Sequence, residues 1–178
     1  APIEIINTSF IPALDIVGKK FEKGEIFLPQ LLMSAQTVKN AFDVLKAASD
    51  SSESQNKGTI VIATVYGDIH DIGKNIVKMM LANYGYNVID LGKDVPPQVI
   101  VDTVLEKNVK LVGLSALMTT TVKSMADTIT ALRNAGSDCK VMVGGAVLND
   151  EYAKLVGADF YAKDALESVK IADKVFGN

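Results

Sequence analysis

The sequence predicts an α/β protein built on one parallel sheet, and three observations support this prediction. Of the 178 residues, 48% are hydrophobic and 22% are charged, which is the balance of a globular chain. From residue 59 onward, short apolar runs alternate with longer stretches of helical periodicity. Five such strand–helix units imply parallel strands with helices on both faces. The unit count and right-handed crossovers favour a flavodoxin-like (Rossmann-like) five-stranded sheet of order 2-1-3-4-5.

Two helical patterns precede the predicted sheet. In residues 6–21, apolar side chains recur at three- and four-residue steps, and Gly24 suits the end of that helix. A second apolar stripe covers residues 28–45, with Pro29 near its start, where a missing N–H costs little. Together they predict a helix hairpin. Such a hairpin must lie on the α/β region, a bound ligand or helices from elsewhere, because alone it exposes much apolar surface.

A polar linker separates the hairpin from the α/β region. Residues 49–57 read Ser-Asp-Ser-Ser-Glu-Ser-Gln-Asn-Lys and show no periodicity, which is typical of a flexible connector. We therefore predict a helical region at 1–48, a linker at 49–58 and an α/β domain at 59–178.

The elements of the α/β region follow from local patterns of Val, Ile, Gly and charged residues. The predicted strands cover residues 59–65, 87–91, 111–114, 141–143 and 159–161. The predicted helices cover residues 72–84, 97–107, 121–135, 148–155 and 165–175. Ligands of such sheets bind beyond the carboxyl ends of the strands. We therefore expect functional residues in the loops after strands one, three, four and five.

Charge and composition exclude several classes of protein. The formal net charge is −3 and no basic run occurs, which argues against nucleic acid and anionic membranes as partners. No apolar run approaches the ~20 residues of a membrane span, and no signal pattern begins the sequence. The single cysteine, Cys139, excludes an internal disulfide and a cysteine-rich metal site. We expect a cytoplasmic protein.

The loop after the first strand brings a carboxylate close to the single histidine of the sequence. Asp68 and His70 are two residues apart, so an extended backbone directs both side chains the same way. A carboxylate beside an imidazole fixes its tautomer and raises its basicity. Gly73 lets the backbone turn into the next helix or approach a ligand closely. The alternative interpretation is a histidine packed in a loop with a local carboxylate contact.

The loops after strands three and four contain hydroxyl groups and paired glycines. Four of the residues at 115–121 are Ser or Thr, which is more than helix capping needs, although we expect at least one to cap the next helix. Gly144 and Gly145 form either a plain strand-to-helix turn or a place where a flat ligand lies against the backbone.

In chain order, these three loops read Asp-x-His-x-x-Gly, Ser-x-Leu and Gly-Gly. This pattern resembles the cobalamin-binding signature of methionine synthase and of the corrinoid proteins of methyltransferase systems. The resemblance covers nearly the whole chain, because residues 17–21 and the Phe-Leu-Pro-Gln run at 27–30 resemble the helical cap of that family. It implies cobalamin as the cofactor, in forms that include methylcobalamin, with cobalt as its metal.

The resemblance also implies a role for each matching residue. His70 is the lower ligand of the cobalt in place of the nucleotide base of the cofactor, Asp68 bonds the other imidazole nitrogen, and Thr121 extends that relay where a serine is usual. Asn7 stands where methionine synthase has an acid, and the cap residues are alternatively ordinary helix packing. The cofactor-binding positions besides Asp68 and His70 are Asn7, Phe21, Leu28, Leu31, Asp71, Ile72, Gly73, Ser115, Leu117, Thr119, Gly144, Gly145, Tyr161 and Ala165.

The function that the resemblance implies is methyl carriage. The chain shows no substrate site of its own, so we expect a non-catalytic corrinoid subunit that shuttles a methyl group from a substrate-specific methyltransferase to an acceptor methyltransferase. A reductive activase is the third expected partner. The donor is a methylamine, methanol, betaine or a methoxylated aromatic compound, and the acceptor is a thiol or a folate; the sequence does not choose among them.

Two further alternatives concern the cap and the class of protein. Caps of this family have four helices, and the sequence begins near the third, so we expect a partial cap. The missing helices are explained by truncation, by a partner chain or by a homo-oligomer of this chain. A cobalamin-binding subunit of a radical isomerase shares the lower part of the signature but lacks this cap. A cobalamin-based sensor would have a tryptophan-bearing cap and a DNA-binding region, and this sequence has no tryptophan.

Overall fold

The computed structural model describes residues 6–48 and 56–177. The chain divides into two compact units, with residues up to Asn56 and the short segment Asn83–Gly85 in the first and the other residues in the second. Most of the predicted linker, residues 49–55, lies outside the described residues. The domain boundaries therefore stay a prediction.

In its described part, the first unit contains two α-helices that precede the sheet. A π-helical turn at Ile6–Phe10 leads into α1 (Ile11–Glu22), and α2 spans Leu28–Ala48. After α1, Gly24 adopts a left-handed φ of 73° and donates its N–H to the carbonyl of Phe21 at 3.0 Å. This is the C-terminal arrangement that favours glycine, so the predicted end of the helix at Gly24 is confirmed.

The Phe-Leu-Pro-Gln run begins α2. The N–H of Phe27 donates to the side-chain oxygen of Gln30 at 2.7 Å, which is half of a capping box. Pro29 is the second residue of the helix, where no N–H is needed within the helix. Helix initiation therefore explains Pro29 and Gln30 without a ligand.

The second unit is built on a five-stranded parallel sheet. Its strands are β1 (Thr59–Thr64), β2 (Asn87–Asp90), β3 (Leu111–Ser115), β4 (Lys140–Gly144) and β5 (Phe160–Tyr161). The order across the sheet is β2-β1-β3-β4-β5, and all neighbouring strands pair in parallel. The predicted fold class and strand order are confirmed.

Five helices accompany the strands: α3 (Ile72–Asn83), α4 (Pro97–Glu106), α5 (Val122–Asn134), α6 (Asp150–Leu155) and α7 (Ala165–Phe176). The predicted start of α6 at residue 148 was wrong. The side chain of Asn149 accepts the N–H of Tyr152 at 2.9 Å, so Asn149 is the N-cap and the helix begins after it. Before α5, Thr119–Thr121 forms a 3₁₀ turn.

The central strands are buried on both faces. The buried side chains of β1, β3 and β4 form a cluster on one face with α5, which includes Val61, Val112, Val141, Ile129 and Leu132. Burial along nearly the whole of each strand is expected where helices cover both faces of a parallel sheet. Only the loops at the strand ends are therefore open to ligands. Among the described residues, no helix has the length and apolar content that crossing a bilayer requires.

Candidate functional site

Asp68 lies at the centre of the site, in the loop after β1. Its side chain is 0% exposed, so its charge needs donors from the protein. Oδ1 accepts the N–H of His70 at 3.0 Å, while Oδ2 accepts the N–H of Leu117 at 2.7 Å and that of Met118 at 3.3 Å. The Asp68 carboxylate thus joins the loop after β1 to the loop after β3.

His70 lies directly against this carboxylate. Its Nδ1 is 2.8 Å from Oδ1 of Asp68, and 44% of the His70 side chain is exposed. Among the described residues, none forms a hydrogen bond with Nε2 of His70. The imidazole is therefore held at one nitrogen and accessible at the other.

The ionisation of Asp68 decides which imidazole nitrogen carries the proton. Burial by itself raises the pKa of the Asp68 carboxyl. The hydrogen bonds from the His70 and Leu117 amides, the His70 ring and the Thr121 hydroxyl outweigh burial and hold that pKa well below its usual range. An ionised carboxylate only accepts hydrogen bonds, so Nδ1 of neutral His70 is the donor. The lone pair of the ring is then on Nε2.

Thr121 completes the contacts of the buried carboxylate. Its side chain is 4% exposed, and its Oγ1 is 2.8 Å from both Oδ2 of Asp68 and the carbonyl oxygen of Met118. A hydroxyl has one proton, so it donates to one of these acceptors at a time, and the charged carboxylate is the stronger. The expected capping role is absent, because no side chain caps the 3₁₀ turn or α5.

A row of small residues crosses the sheet beside this pair. Thr64 pairs with Ser115, and Ser115 pairs with Gly144, at the carboxyl ends of β1, β3 and β4. Thr64 is 0% exposed, and its Oγ1 has no hydrogen-bond partner among the described residues. A buried hydroxyl without a partner is costly, so this position suits a polar group of a ligand.

The predicted binding glycines differ in what surrounds them. A Cβ on Gly145, whose φ is 136°, would lie 1.9 Å from the carbonyl oxygen of Ala116, and a Cβ on Gly144 would lie 3.0 Å from that of Ala162. Packing within the protein therefore requires glycine at Gly145 and favours it at Gly144. Gly73 has an ordinary φ and nothing within 4 Å of a Cβ. Its missing side chain leaves open space at the start of α3.

Four other predicted positions form no hydrogen bond with Asp68 or His70 among the described residues. Tyr161 is half-buried and packs against the core cluster that contains Val143, which places it on the sheet face opposite Ser115 and Gly144. Its hydroxyl donates to the carbonyl of Leu148 at 2.9 Å. Thr119 is exposed in the 3₁₀ turn, Asp71 is half-buried before α3, and Ala165 is half-buried at the start of α7.

The predicted cap residues belong to the first unit. Leu31 is 4% exposed, and Phe21 and Leu28 are half-buried. Asn7 lies in the π-helical turn, and its side chain is outside the described part of the chain. The role of these four residues in binding a cofactor stays a prediction.

Four exposed apolar side chains accompany the Asp68–His70 pair, three on the two joined loops and one at the start of α3. Tyr66 is 54% exposed, Ile69 61%, Leu117 43% and Ile72, the first residue of α3, 75%. Single exposed apolar residues are common, but four this near one polar pair along the chain indicate a surface for an apolar ligand. Tyr66 and Ile69 were not among the residues predicted from the sequence, although their position beside the Asp68–His70 motif was a signal that could have found them.

The loop after β2 was not predicted to contribute to the site, because functional residues were expected only in the loops after the other four strands. Asp94 in this loop accepts the N–H of Gly67 at 2.7 Å, and Asp90 at the end of β2 pairs with Lys74 at 2.6 Å. Lys74 is 4% exposed in the first turn of α3, where the helix dipole disfavours a cation. The Asp90 carboxylate compensates this charge, and the spacing of the two residues in the sequence did not indicate the pair.

Comparison with known proteins identifies the family. The B12 binding domain family matches residues 58–170, and a second B12 binding domain family matches residues 1–46. The dimethylamine corrinoid protein 2 of Methanosarcina acetivorans is 41% identical over 177 residues, which are 98% of this chain and 82% of the relative. The chain belongs to the family of B12-binding corrinoid proteins.

Solved structures agree with this membership. A cobalamin-binding protein from Desulfitobacterium hafniense is 40% identical to this corrinoid protein, with a TM-score of 0.86 over 98% of this chain and 82% of the other. A chain of the methanol:cobalamin methyltransferase complex of Methanosarcina barkeri is 32% identical, with a TM-score of 0.84 over 99% of this chain and 68% of that one. The predicted family, and the predicted corrinoid cofactor with its cobalt, are confirmed.

The residues of the second unit fit such a cofactor. The described residues contain no cluster of three or more His, Cys, Asp or Glu side chains that could hold a metal ion. A corrinoid contains its own cobalt, so a single imidazole with an unbonded Nε2 would be enough for the protein to hold it. The unpartnered Oγ1 of Thr64 and the open space at Gly73 fit further contacts of the same cofactor.

Proposed function

We propose that this corrinoid protein carries a methyl group between two methyltransferases, and that His70 is the lower cobalt ligand in place of the nucleotide base of the cofactor (base-off, His-on). The observation that carries the proposal is the contact of His70 Nδ1 with the buried, ionised Asp68, which leaves Nε2 free on an exposed ring. The relatives named above are corrinoid proteins and a methyltransferase complex, which favours methyl carriage over the isomerase and sensor alternatives.

The protein supplies a ligand of fixed orientation and tautomer. A bound corrinoid would supply the cobalt chemistry of methyl transfer, and His70 would be the residue of this chain that holds the cobalt. Asp68 holds the proton on Nδ1 of His70 and so keeps the Nε2 lone pair available for coordination. Thr121 and the Leu117 amide hold Asp68 in its charged form.

The same contacts decide where a proton goes when His70 is not coordinating. The pKa of Asp68 is held low by its donors, so the carboxylate stays ionised. A proton therefore enters at Nε2, which gives an imidazolium that faces the Asp68 carboxylate. Because an imidazolium has no free lone pair, His70 would hold cobalt only in its neutral form.

The partners follow from the proposed carriage. The relative named for dimethylamine is 41% identical and the chain of the methanol complex is 32% identical, so we favour a methylated amine as donor. The acceptor methyltransferase, for a thiol or a folate, and a reductive activase complete the proposed set. The proposed location is the cytoplasm. The chain itself is proposed as a carrier subunit and not as the enzyme that activates either substrate.

Replacement of His70 tests the ligand role. The full chain and its His70→Ala variant are loaded with hydroxocobalamin and compared by visible absorption. We expect the variant to retain cofactor through its remaining contacts and to lose the absorption bands of histidine coordination. Identical spectra of the two proteins would contradict the proposal that His70 is the cobalt ligand.

The donor class is tested separately. The loaded and reduced chain is mixed with extract of its native cells and with dimethylamine, methanol, betaine or a methoxylated aromatic compound, one at a time. Methylation of the bound cofactor, read from its spectrum, is expected with dimethylamine. Methylation with methanol alone contradicts the amine class, and methylation with none of the four contradicts the carrier function.

A further inference from the structure

The loop after β2 holds the segment that precedes His70 at two points. The Asp94 carboxylate accepts the N–H of Gly67 at 2.7 Å, and the N–H of Asp94 donates to the carbonyl of Asp68 at 2.9 Å. These two bonds clamp the Gly67–Asp68 segment from one side. The side chain of Asp68 emerges from the clamped segment and carries the His70 contact.

The backbone of Asp94 is bent to make both bonds. Its φ is 53°, in the left-handed region that favours glycine, and only one other described non-glycine residue, Asn108, has a positive φ. Aspartate and asparagine enter this region more readily than other side chains. Glycine would suit the backbone of residue 94 equally well, but it cannot supply the acceptor for Gly67.

The loop that carries Asp94 is itself anchored. The carbonyl of Gly92 accepts the N–H of Thr64 at 2.9 Å, and the N–H of Val95 donates to the carbonyl of Thr64 at 3.1 Å. The N–H of Gly92 donates to Asp90 at 2.9 Å, and Asp90 also pairs with the buried Lys74 of α3. The loop after β2 therefore connects the end of β1 to the first turn of α3, on either side of His70.

We propose that Asp94 is a positioning residue that fixes the Asp68 carboxylate against Nδ1 of His70. The juxtaposition that carries this inference is the pair of bonds from Asp94 to Gly67 and Asp68. It deepens the proposed function, because the tautomer that Asp94 maintains is the one that a cobalt ligand needs. In this proposal Asp94 acts through Asp68 and His70, and not as a ligand or catalytic residue itself.

The test reads the His70 tautomer in the cofactor-free chain. The sequence has a single histidine, so ¹⁵N-histidine labelling reports on His70 alone in a two-dimensional ¹H–¹⁵N spectrum. Three variants are compared with the wild type. Asp94→Gly keeps the left-handed backbone and removes the acceptor, Asp94→Asn keeps both, and Asn108→Gly makes the same backbone change in a loop before β3.

We expect the ratio of the Nδ1–H to the Nε2–H tautomer to fall about threefold or more in Asp94→Gly. This fall is smaller than the one expected when a direct hydrogen-bond partner of the ligand is lost. The ratio should stay at the wild-type value in Asp94→Asn and Asn108→Gly. An unchanged ratio in Asp94→Gly overturns the proposal, and so does an equal fall in either of the other variants.

Amide exchange keeps the test decisive if Asp94→Gly does not fold. In the wild type, the exposed Gly67 amide should exchange slowly, because its N–H is bonded to Asp94. Exchange at the rate of a free amide overturns the proposal. Neither measurement uses a cofactor, so a failure of the cobalt-ligand role would appear in the His70→Ala spectrum and leave the tautomer result intact.

Discussion

At the scale of single residues, the site depends on one buried charge. Asp68 is fully buried, yet donors on the loops after β1 and β3 keep it ionised. Its spacing from His70 predicted the contact between the two side chains, because two residues of extended chain bring them to the same side. The part played by Leu117 could not be predicted from its type, because its backbone N–H makes the bond.

Thr121 provides the first prediction at this scale. Thr121→Val keeps the shape of the side chain and removes the hydroxyl that donates to Asp68. We expect the free energy of unfolding to fall by about 1–2 kcal/mol, because a charged, buried acceptor loses a donor. Urea denaturation measures this loss.

Thr121→Ser is the matched control, because serine keeps the hydroxyl. It should retain most of the stability that valine loses. A smaller loss of stability in Thr121→Val than in Thr121→Ser would contradict the prediction, because valine keeps the Thr121 methyl group and lacks only the hydroxyl bonded to Asp68.

At the scale of elements, the periodicity of the sequence predicted the strands and helices to within one or two residues at most ends. Local side chains account for such small differences, as Asn149 does at the start of α6. The loop after β2 could not be assigned to the site from pattern, because the two bonds of Asp94 join residues far apart in the sequence.

Gly73 provides a prediction for α3. A Cβ there meets nothing within 4 Å, and alanine is the better helix former. Gly73→Ala should therefore raise the unfolding free energy of the cofactor-free chain by roughly 0.5 kcal/mol. It should weaken cobalamin binding, measured by titration, if Gly73 leaves room for the cofactor. If Gly73→Ala is more stable and still binds cobalamin with wild-type affinity, Gly73 is not part of the binding surface.

Gly145 provides the opposite prediction for the turn after β4. Its φ of 136° and the Ala116 oxygen 1.9 Å from a Cβ leave no place for a side chain. Gly145→Ala should lower the unfolding free energy by about 3 kcal/mol or more, because strain and overpacking add. Thermal denaturation with the cofactor absent measures this. A loss below about 1 kcal/mol would contradict the packing explanation of Gly145.

At the scale of the whole molecule, the parallel sheet brings three distant loops to one edge. Alternating patterns and the crossover rule were sufficient to predict the sheet order. They could not predict the sheet face on which Tyr161 lies, because that depends on the exact register of a two-residue strand. Tyr161 therefore packs with Val143 and not beside Ser115.

The pH dependence of stability is a property of the whole fold, and Asp159 contributes to it. Burial raises the pKa of this carboxyl, but the hydrogen bond from the Val141 amide and the charges of Arg133 and Lys140 lower it more. The pKa in the folded state is thus below the unfolded value of about 4. The stabilisation by Asp159 is present above that value and is lost as the pH falls.

Comparison of the wild type with Asp159→Asn checks this sign. The wild type should be more stable by about 1–2 kcal/mol near neutral pH, where the charged bonds are intact. The difference should shrink as the pH is lowered below about 4. Chemical denaturation across this range measures it, and a difference that grows toward acid would reverse the assigned direction.

The measurement that tests the central claim most directly is electron paramagnetic resonance of the cobalt(II) form of the loaded chain. The single histidine allows ¹⁵N labelling of His70 alone. If Nε2 of His70 is the lower ligand, the nitrogen splitting on the cobalt signal changes from a triplet with ¹⁴N to a doublet with ¹⁵N. A triplet that persists after labelling would show that another nitrogen, such as the nucleotide base of the cofactor, is the ligand.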